Sequence, residues 1–277
     1  MRTLLRMRTT EKMNQKTLSD NCIKFLGTAG ARYVMARQLR CSAGTFLQLG
    51  GKKLIMDPGP GTLLRCARSS PPVDVTRLDA VLLSHAHIDH SGDANALIDA
   101  MTCGGWDKRG SFFAPGDCLN GKNRILLDYL KEAPEQVVML AENTRYELDG
   151  LQFSTSIRHR HDVETYGFRF ELAGGLLSFI TDTLYFDALA EAYAGSRWIV
   201  INVVRGAVHA GGGFKHMGTA EAEALIDAIK PRLAVLTHFG MTSLREKPWE
   251  MAREMTKRLS VEVRAADDGM ELELEEI

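Results

Sequence analysis

A cluster of side chains that could bind metal ions lies within residues 84–93, which read SHAHIDHSGD. Its members are His85, His87, Asp89, His90 and Asp93. They directly follow the apolar run 80–83, which predicts a buried strand. Since a buried polar group without a partner costs about 1–3 kcal/mol, we expect a bound group to satisfy them. Mixed nitrogen and oxygen ligands suit Zn²⁺, Mn²⁺ or Fe²⁺, and the spacing directs the first two histidines to one ion and Asp89 and His90 to a second.

Apolar patterning predicts the elements that position this cluster. Strands are expected at residues 22–26, 45–49, 53–56, 78–84, 151–157, 166–172, 176–180, 198–201, 233–236 and 271–275. Helices are expected at residues 92–101, 184–194, 219–229 and 245–259. The pair Gly50-Gly51 predicts a hairpin turn between the second and third strands. No Pro/Ser-rich linker separates the two sheet-rich halves, so the pattern predicts one α/β domain over residues 22–277, built as a four-layer αββα sandwich.

The composition of the 277 residues, 45% hydrophobic and 25% charged, is typical of a soluble globular protein. No apolar run approaches the roughly 20 residues that span a bilayer, so we expect no membrane association. The five cysteines form no CxxC pair, and their odd number argues against a disulfide framework. They predict a reducing cytoplasm and small buried apolar side chains.

Positive charge is concentrated at the N-terminus. Residues 1–16 hold five Lys/Arg and one Glu, so the remainder carries a net charge of −5 against −1 for the whole chain. This mildly acidic body disfavours a protein that grips a long phosphate backbone. We expect residues 1–21 to form a disordered basic leader, with a translation start assigned upstream of Met13 or an organelle transit peptide as alternatives.

Four further polar residues stand at the ends of predicted elements: Asp57, His161, Asp182 and His238. Each also has a purely structural interpretation. Asp57 could begin a turn, Asp182 could cap a helix, and His238 could be a hydrogen-bonded core histidine. In the stretch RHRH, His159 competes with His161 for any role as a ligand.

The stretch SHAHIDHSG resembles the signature of the metallo-β-lactamase superfamily, whose fold is an αββα sandwich. Asp57 resembles the first motif of that family, which orients the ligands without touching the metal. His161, chosen over His159 by its distance from Tyr166, resembles the third motif, and Asp182 and His238 resemble the fourth and fifth. The resemblance implies two divalent ions, with Zn²⁺ favoured and Mn²⁺ or Fe²⁺ as alternatives. One ion is expected on His85, His87 and His161, the other on Asp89, His90 and His238, with Asp182 bridging both.

A further motif concerns the branch of the family. Residues 215–222, KHMGTAEA, are similar to the His-x-Thr-type segment of RNase Z-like phosphodiesterases, in which the histidine faces the scissile phosphate. This likeness implies a role at the substrate for His216. Thr219 is expected to cap the following helix, with Ala222 where a capping box places Glu or Gln. His209, in the preceding glycine-rich loop, receives no role.

The resemblance implies a dinuclear metal-dependent hydrolase, above all a phosphodiesterase for small or cyclic phosphodiesters. It would use a metal-bridging hydroxide, with Asp89 and His216 as catalytic residues. RNase Z enzymes commonly insert a tRNA-holding arm between the third and fourth motifs, whereas His161 and Asp182 are only 21 residues apart. With the acidic body, this argues against tRNA as the substrate. The alternatives are a carboxylic ester, lactone or thioester hydrolase, an iron redox protein or a metal-binding scaffold without turnover; a homodimer is left open.

Overall fold

The computed structural model describes residues 20–275, apart from residues 43, 123 and 207–214. His209 and residues 1–19 of the predicted basic leader lie outside the described residues. The first strand begins at Asn21, which the sequence assigned to the leader.

The described residues form two seven-stranded sheets. The first six strands are β1 (Asn21–Gly27), β2 (Gly44–Leu49), β3 (Lys52–Met56), β4 (Ala80–Leu82), β5 (Ser111–Pro115) and β6 (Gln136–Leu140). The next seven are β7 (Arg145–Leu148), β8 (Leu151–Arg158), β9 (Tyr166–Leu172), β10 (Gly175–Ile180), β11 (Ser196–Asn202), β12 (Leu233–Thr237) and β13 (Glu262–Ala265). The last strand, β14 (Glu271–Glu273), joins the first sheet, whose order is β14-β1-β2-β3-β4-β5-β6, and the second sheet runs β13-β12-β11-β10-β9-β8-β7.

The helices cover the outer faces of the two sheets. They are α1 (Ala31–Ala36), α2 (Thr62–Arg68), α3 (Ile88–Ser91), α4 (Ala94–Met101), α5 (Gly116–Leu119), α6 (Ala188–Ala192), α7 (Thr219–Ile229), α8 (Met241–Arg245) and α9 (Pro248–Leu259). In α4 the residues at positions i, i+3, i+4 and i+7 from Ala94 are buried, as a helix with one apolar face requires. They pack on the first sheet, while α7 and α9 pack on the second.

Apolar side chains fill the space between the sheets, among them Phe25, Leu47, Phe153, Phe168 and Trp198. The layers are therefore helix, sheet, sheet and helix, and the predicted αββα sandwich is confirmed. The predicted hairpin is also present, since Gly50 and Gly51 have φ values of 54° and 78° and connect β2 to β3. Two successive left-handed residues suit a tight hairpin turn, and glycine adopts them without a Cβ clash.

Several predicted boundaries were wrong. The helix expected at residues 245–259 begins only at Pro248, as α9, because Lys247 adopts a left-handed φ of 56°. Arg245 instead ends the separate helix α8. The helix expected at 184–194 shrinks to α6, and the strand expected at 78–84 shrinks to β4. The Leu83 N–H still donates to the Phe113 carbonyl of β5, and pairing ends at Ser84, whose N–H donates to a side chain. The sequence analysis missed β5, β6, β7 and β13, together with α1, α2, α3, α5 and α8.

Two cysteines contradict the expectation of buried small side chains. Cys103 is exposed and Cys41 is half-buried, whereas Cys22, Cys66 and Cys118 are buried as predicted, and all five are free thiols. In the part of the chain that the structure describes, no helix combines the length and the apolar character needed to cross a membrane.

Candidate metal centre

The histidines and aspartates predicted as ligands meet at one edge of the sandwich. The segment from His85 to His90 follows the end of β4, Asp182 follows β10, and His238 follows β12. His161 lies in the loop between β8 and β9. Because several strands of the two sheets end here, residues that are far apart in the sequence are brought within a few ångströms of one another.

Asp57 fixes the first of these side chains from behind. Its Oδ1 accepts a hydrogen bond from the Ser84 N–H at 2.7 Å, and its Oδ2 accepts one from the Ser84 hydroxyl at 2.7 Å. The hydroxyl oxygen in turn lies 2.9 Å from Nδ1 of His85. Since the hydroxyl proton is directed at the carboxylate, Nδ1–H of His85 donates to the serine oxygen. This arrangement leaves Nε2 of His85 as the nitrogen with a free lone pair.

His161 is oriented by a backbone carbonyl. Its Nδ1–H donates to the carbonyl oxygen of Lys215 at 2.9 Å, which turns Nε2 toward Nδ1 of His87 at 2.9 Å. One ligand nitrogen from each of His85, His87 and His161 lies within 4.8 Å of the other two. The structure thus brings together the three histidines that were predicted to share an ion.

The second predicted set lies beside the first. Asp89, His90 and His238 also have ligand atoms within 4.8 Å of one another. Oδ2 of Asp89 is 3.8 Å from Nε2 of His90 and 3.5 Å from Nε2 of His238. The other nitrogen of His90 lies 3.1 Å from Oδ2 of Asp57, so that carboxylate orients residues of both sets and does more than begin a turn.

Asp182 lies between the two sets. Its Oδ2 is 3.9 Å from Nε2 of His85 and 3.5 Å from Nε2 of His90, while its Oδ1 accepts a hydrogen bond from the Asn202 amide at 2.8 Å. It does not cap a helix, because α6 begins only after Asp187. The position between the sets is the one that a bridging carboxylate needs.

The chemistry of these donors fits divalent metal ions. Nε2 of His85, His90 and His238 is buried and has no hydrogen-bond partner among the described residues. Burial, with the neighbouring His90, holds the pKa of His85 well below its usual range, so this imidazole is neutral and keeps its lone pair. Burial raises the pKa of Asp182, but nearby His238, His90 and His216 outweigh it and hold that pKa well below its usual range. Neutral imidazoles and ionised carboxylates are the forms that bind metal.

The pKa values of three other ligand histidines shift in different directions. Burial lowers the pKa of His87 and of His161, whereas the pKa of His90 is well above its usual value. Burial opposes that rise, but the carboxylates of Asp182 and Asp89 are stronger. A cation bound among these carboxylates would take the place of the proton that His90 otherwise holds.

His216 approaches the same centre. Its Nδ1 is buried, 3.3 Å from Oδ2 of Asp182, and belongs with Asp182 and His161 to a further group that could hold a metal ion. Its backbone is held by Arg205, whose Nε donates to the His216 carbonyl at 2.8 Å and whose Nη2 pairs with Glu221 at 2.9 Å. The residue predicted to face the substrate is therefore fixed beside the predicted ligands.

The expected cap of α7 was wrong by one residue. Gly218 is the N-cap, and its N–H donates to the Glu221 carboxylate at 2.7 Å. The Thr219 hydroxyl instead donates to the Arg205 carbonyl at 3.1 Å. Ala222, which was placed at the capping position, is buried against the sheet.

Asp93 does not join the centre. Its Oδ2 accepts hydrogen bonds from the N–H groups of Gly61 and Leu63, at 3.1 and 2.9 Å. Anionic acceptors are stabilising at a helix N-terminus, so this carboxylate supports the start of α2.

A model of the beta-lactamase superfamily domain matches residues 52–239. The chain belongs to the β-lactamase superfamily. The matched range runs from just before Asp57 to just after His238, and it therefore contains all seven predicted ligands of this superfamily member. The predicted family is confirmed.

Two relatives match most of this β-lactamase superfamily chain. An uncharacterised protein of Methanocaldococcus jannaschii is 27% identical over 261 residues, which cover 91% of this chain and 94% of that protein. A UPF0173 metal-dependent hydrolase of Cupriavidus metallidurans is 26% identical over 244 residues, covering 80% of this chain and 79% of the hydrolase.

Solved structures share the fold at lower identity. The metallo-β-lactamase fold protein YhfI from Bacillus subtilis aligns with a TM-score of 0.75 and 19% identity, covering 91% of this chain and 99% of YhfI. A diphosphatase from the PhnP family has a TM-score of 0.66 and 20% identity, and the alignment covers 91% of this chain and 96% of the diphosphatase. Human tRNase Z, short form, has a TM-score of 0.69 and 14% identity, and the alignment covers 92% of this chain and 99% of the tRNase. These likenesses concern the fold.

Asp57 was predicted to orient the ligands, but the sequence analysis missed other residues that support the superfamily's ligands from outside. Asn202 binds Asp182 and ends β11, but a lone asparagine at a strand end gives no signal. The Lys215 carbonyl that orients His161 is a backbone group, which a residue pattern does not reveal. His159 was weighed only as a rival ligand, and it lies instead in a separate hydrogen-bonded network behind the centre.

Proposed function

We propose that this metal-dependent hydrolase of the β-lactamase superfamily is a phosphodiesterase that cleaves small or cyclic phosphodiesters. His216 carries the proposal. The seven predicted ligands form two complete sets without it, yet its Nδ1 is buried beside Asp182 and has no hydrogen-bond partner among the described residues. A histidine held at the centre but not needed as a ligand is available to act on a substrate.

The residues would hold two divalent ions, with Zn²⁺ favoured over Mn²⁺ and Fe²⁺. When bound, such ions polarise a phosphoryl oxygen and lower the pKa of water at the site. One ion would lie among three histidines and the other among one aspartate and two histidines, with a shared carboxylate. These residues are His85, His87 and His161; Asp89, His90 and His238; and the shared Asp182.

The chain's own residues would complete the chemistry. Nδ1 of His216 faces Asp182, which leaves Nε2 as the nitrogen for a substrate oxygen. From there it can stabilise the charged phosphoryl group or protonate the leaving oxygen, effects worth about 10²–10⁴-fold in rate. Asp89 is proposed as a second catalytic residue. His90 and His238 outweigh the effect of burial and hold its pKa below the usual range, so its ionised carboxylate can orient water.

Two neighbours in fold are named for the hydrolysis of phosphate linkages, the PhnP-family diphosphatase and human tRNase Z. Their likeness supports the reaction class proposed here. The segment from His161 to Asp182 argues for small substrates, since β9 and β10 occupy most of it and leave no room for an inserted arm. We propose no role for tRNA or for a membrane.

Turnover of bis(p-nitrophenyl) phosphate and of a cyclic nucleotide, compared with lactones, carboxylic esters and thioesters, tests the reaction. We expect the diesters to be cleaved with the higher kcat/KM and Asp182→Ala to abolish the activity. Preferred cleavage of a lactone or thioester would overturn the proposed phosphodiesterase activity. An iron-dependent visible spectrum with electron transfer and no hydrolysis would overturn the proposal that the chain is a hydrolase. Efficient trimming of precursor tRNA at physiological salt would overturn the proposed preference for small substrates.

We also propose a cytoplasmic location, because all five cysteines are free thiols and persistent free thiols suit a reducing compartment. Fractionation of cells that express the tagged chain tests this directly. The homodimer stays a prediction, and the molar mass of the purified chain in solution would decide it.

A further inference from the structure

A buried line of hydrogen bonds runs from Tyr193 through His159 to Thr181. The Tyr193 hydroxyl lies 2.7 Å from Nε2 of His159, and Nδ1 of the same ring lies 3.2 Å from Oγ1 of Thr181. All three residues are buried, with at most 3% of their surface exposed. Neither ring nitrogen of His159 faces the metal centre.

The direction of these hydrogen bonds follows from the protons available. The Thr181 hydroxyl donates its only proton to the Tyr166 carbonyl at 3.0 Å. Nδ1–H of His159 therefore donates to the threonine oxygen, and Nε2 accepts from the Tyr193 hydroxyl. Burial lowers the pKa of His159 to about 3, so the ring is neutral and holds one proton, on Nδ1. Each ring nitrogen thus has a partner of the complementary type: Nδ1–H donates to an acceptor, and Nε2 accepts from a donor.

This line connects two segments that carry predicted ligands. His159 lies two residues before His161, whose N–H donates to the His159 carbonyl at 3.1 Å. Thr181 directly precedes Asp182. The ring therefore joins the loop after β8 to the end of β10, and each of the joined positions is within two residues of a ligand of the centre.

The fold reserves space for this contact. A Cβ at Gly167 would lie 1.9 Å from the Tyr193 hydroxyl, 2.4 Å from the Phe179 carbonyl oxygen and 3.1 Å from Cε1 of His159. Any other residue at position 167 would therefore displace the tyrosine and the imidazole as well as the backbone of β10. The central strand β9 therefore carries a glycine where a side chain would otherwise add to the core, and the network lies against its backbone.

We infer that His159 is a positioning residue, whose ring ties the loop that carries His161 to the segment that carries Asp182 and so sets the distance between these two ligands. We call the line Tyr193–His159–Thr181 the tether. The inference rests on the metal centre of the proposed function. It assigns a role in metal binding to a residue that touches neither metal nor substrate.

Metal affinity and the Co²⁺ spectrum of the full chain test the tether. His159→Phe keeps a planar aromatic ring but removes the donor to Thr181. We expect about a 10-fold to 100-fold weaker Co²⁺ affinity by chelator competition, the range typical of residues that support metal ligands. The visible absorption of bound Co²⁺ should also shift, because the two ligands are displaced. His159→Asn places an amide N–H near the position of Nδ1 and should restore most of the affinity and the parent spectrum.

Ser178→Ala is the matched control. Ser178 and Ser196 form a buried hydrogen bond of 2.7 Å between β10 and β11, so its loss should cost similar stability. It should leave Co²⁺ affinity and spectrum unchanged. If His159→Phe does not fold, Thr181→Val removes the acceptor instead, and we expect the same loss of affinity.

The outcomes separate the tether from the centre. A parent chain that binds no Co²⁺ would overturn the metal centre, and the tether with it. A parent that binds Co²⁺ while His159→Phe, or Thr181→Val in its place, shows the parent affinity and spectrum would overturn the tether alone. Equal losses in Ser178→Ala would also overturn it, since the effect would then follow general stability.

Discussion

Both carboxylate oxygens of Asp57 accept hydrogen bonds from Ser84, one from its N–H and one from its hydroxyl, each at 2.7 Å. The pair ends the hydrogen bonding of β4 and starts the loop that carries four of the predicted ligands. Asp57 itself has a left-handed φ of 51°, which costs most residues energy and is tolerated best by Gly, Asn and Asp. The end of β4, the left-handed backbone at position 57 and the orientation of the ligands are therefore all associated with Asp57.

We predict that Asp57→Asn weakens metal binding by about 10-fold to 100-fold and lowers the free energy of unfolding by about 1–3 kcal/mol. Asparagine tolerates the backbone conformation, but it offers one acceptor where two Ser84 donors and His90 require a carboxylate. Chelator competition and urea unfolding measure the two effects. Asp93→Asn is the control, because Asp93 also accepts two N–H bonds but lies outside the centre. Equal metal affinities in the two variants would contradict this role of Asp57.

We predict about two metal ions per chain after reconstitution, because seven ligands exceed the four of one tetrahedral zinc. Asp182→Ala should lose the pair, since it removes a carboxylate whose Oδ2 lies 3.9 Å from Nε2 of His85 and 3.5 Å from Nε2 of His90, one from each ligand set. Elemental analysis of the purified chains checks both statements. A parent with one tightly held ion and no binding of a second would contradict the dinuclear centre, as would full retention of both ions by Asp182→Ala.

The ligands could be predicted from the sequence because their chemistry is concentrated in short segments. Three histidines and an aspartate within six residues have few structural uses, and a polar residue directly after an apolar run marks the end of a buried strand. The αββα layers could also be predicted, because strong apolar periodicity marks the strands and helices of both halves of the chain. Edge strands were harder to predict. In β6, Gln136 and Val137 are exposed, so the strand lacks the apolar pattern that identifies a core strand.

Supporting contacts other than those of Asp57 could not be predicted, because they depend on distance in space. Tyr193 lies 34 residues beyond His159, and nothing in either neighbourhood points to the other. The break between α8 and α9 is different in kind. Lysine favours helices by propensity, but Lys247 precedes Pro248, which disfavours the helical conformation at the residue before it, and Lys247 adopts a left-handed φ. This signal was local, and the sequence analysis did not use it.

We predict that His159 makes the stability of the metal-free chain depend on pH. Its pKa is about 3 when folded, because of burial, against an ordinary value of 6.5. The unfolded chain therefore binds a proton below pH 6.5 that the folded chain refuses. The contribution is fully present above pH 6.5 and is lost by about 1.4 kcal/mol for each pH unit as the pH falls toward 3.

Urea unfolding of the parent and of His159→Asn, at about pH 6.5 and about pH 5.5, isolates this contribution. The other buried histidines are common to both chains and cancel in the comparison. We expect the parent to lose about 1 kcal/mol more than the variant over this interval. A difference between the two chains that does not change with pH would contradict a neutral, buried His159.

His238 and His216 should respond differently to removal, although both approach Asp182. Nε2 of His238 is buried 3.5 Å from Asp89, as expected of a ligand, so His238→Ala should weaken or empty one metal site. His216 is held from its backbone by Arg205 and is proposed to act on the substrate. His216→Ala should therefore keep both metals. Elemental analysis of the two variants checks this. Loss of a metal from the His216→Ala variant would show that His216 is a ligand.

Turnover by His216→Ala then distinguishes the two roles open to this imidazole. We predict a loss in kcat of about 10²–10⁴-fold on a phosphodiester with a poor leaving group, because the departing oxygen no longer receives a proton. With p-nitrophenolate, which needs little protonation, the loss should be smaller. Equal losses on both substrates would assign His216 to stabilising the charged phosphoryl group. Parent-like turnover of both diesters would remove the observation that carries the phosphodiesterase proposal, and the ester and lactone hydrolases would then have the better support.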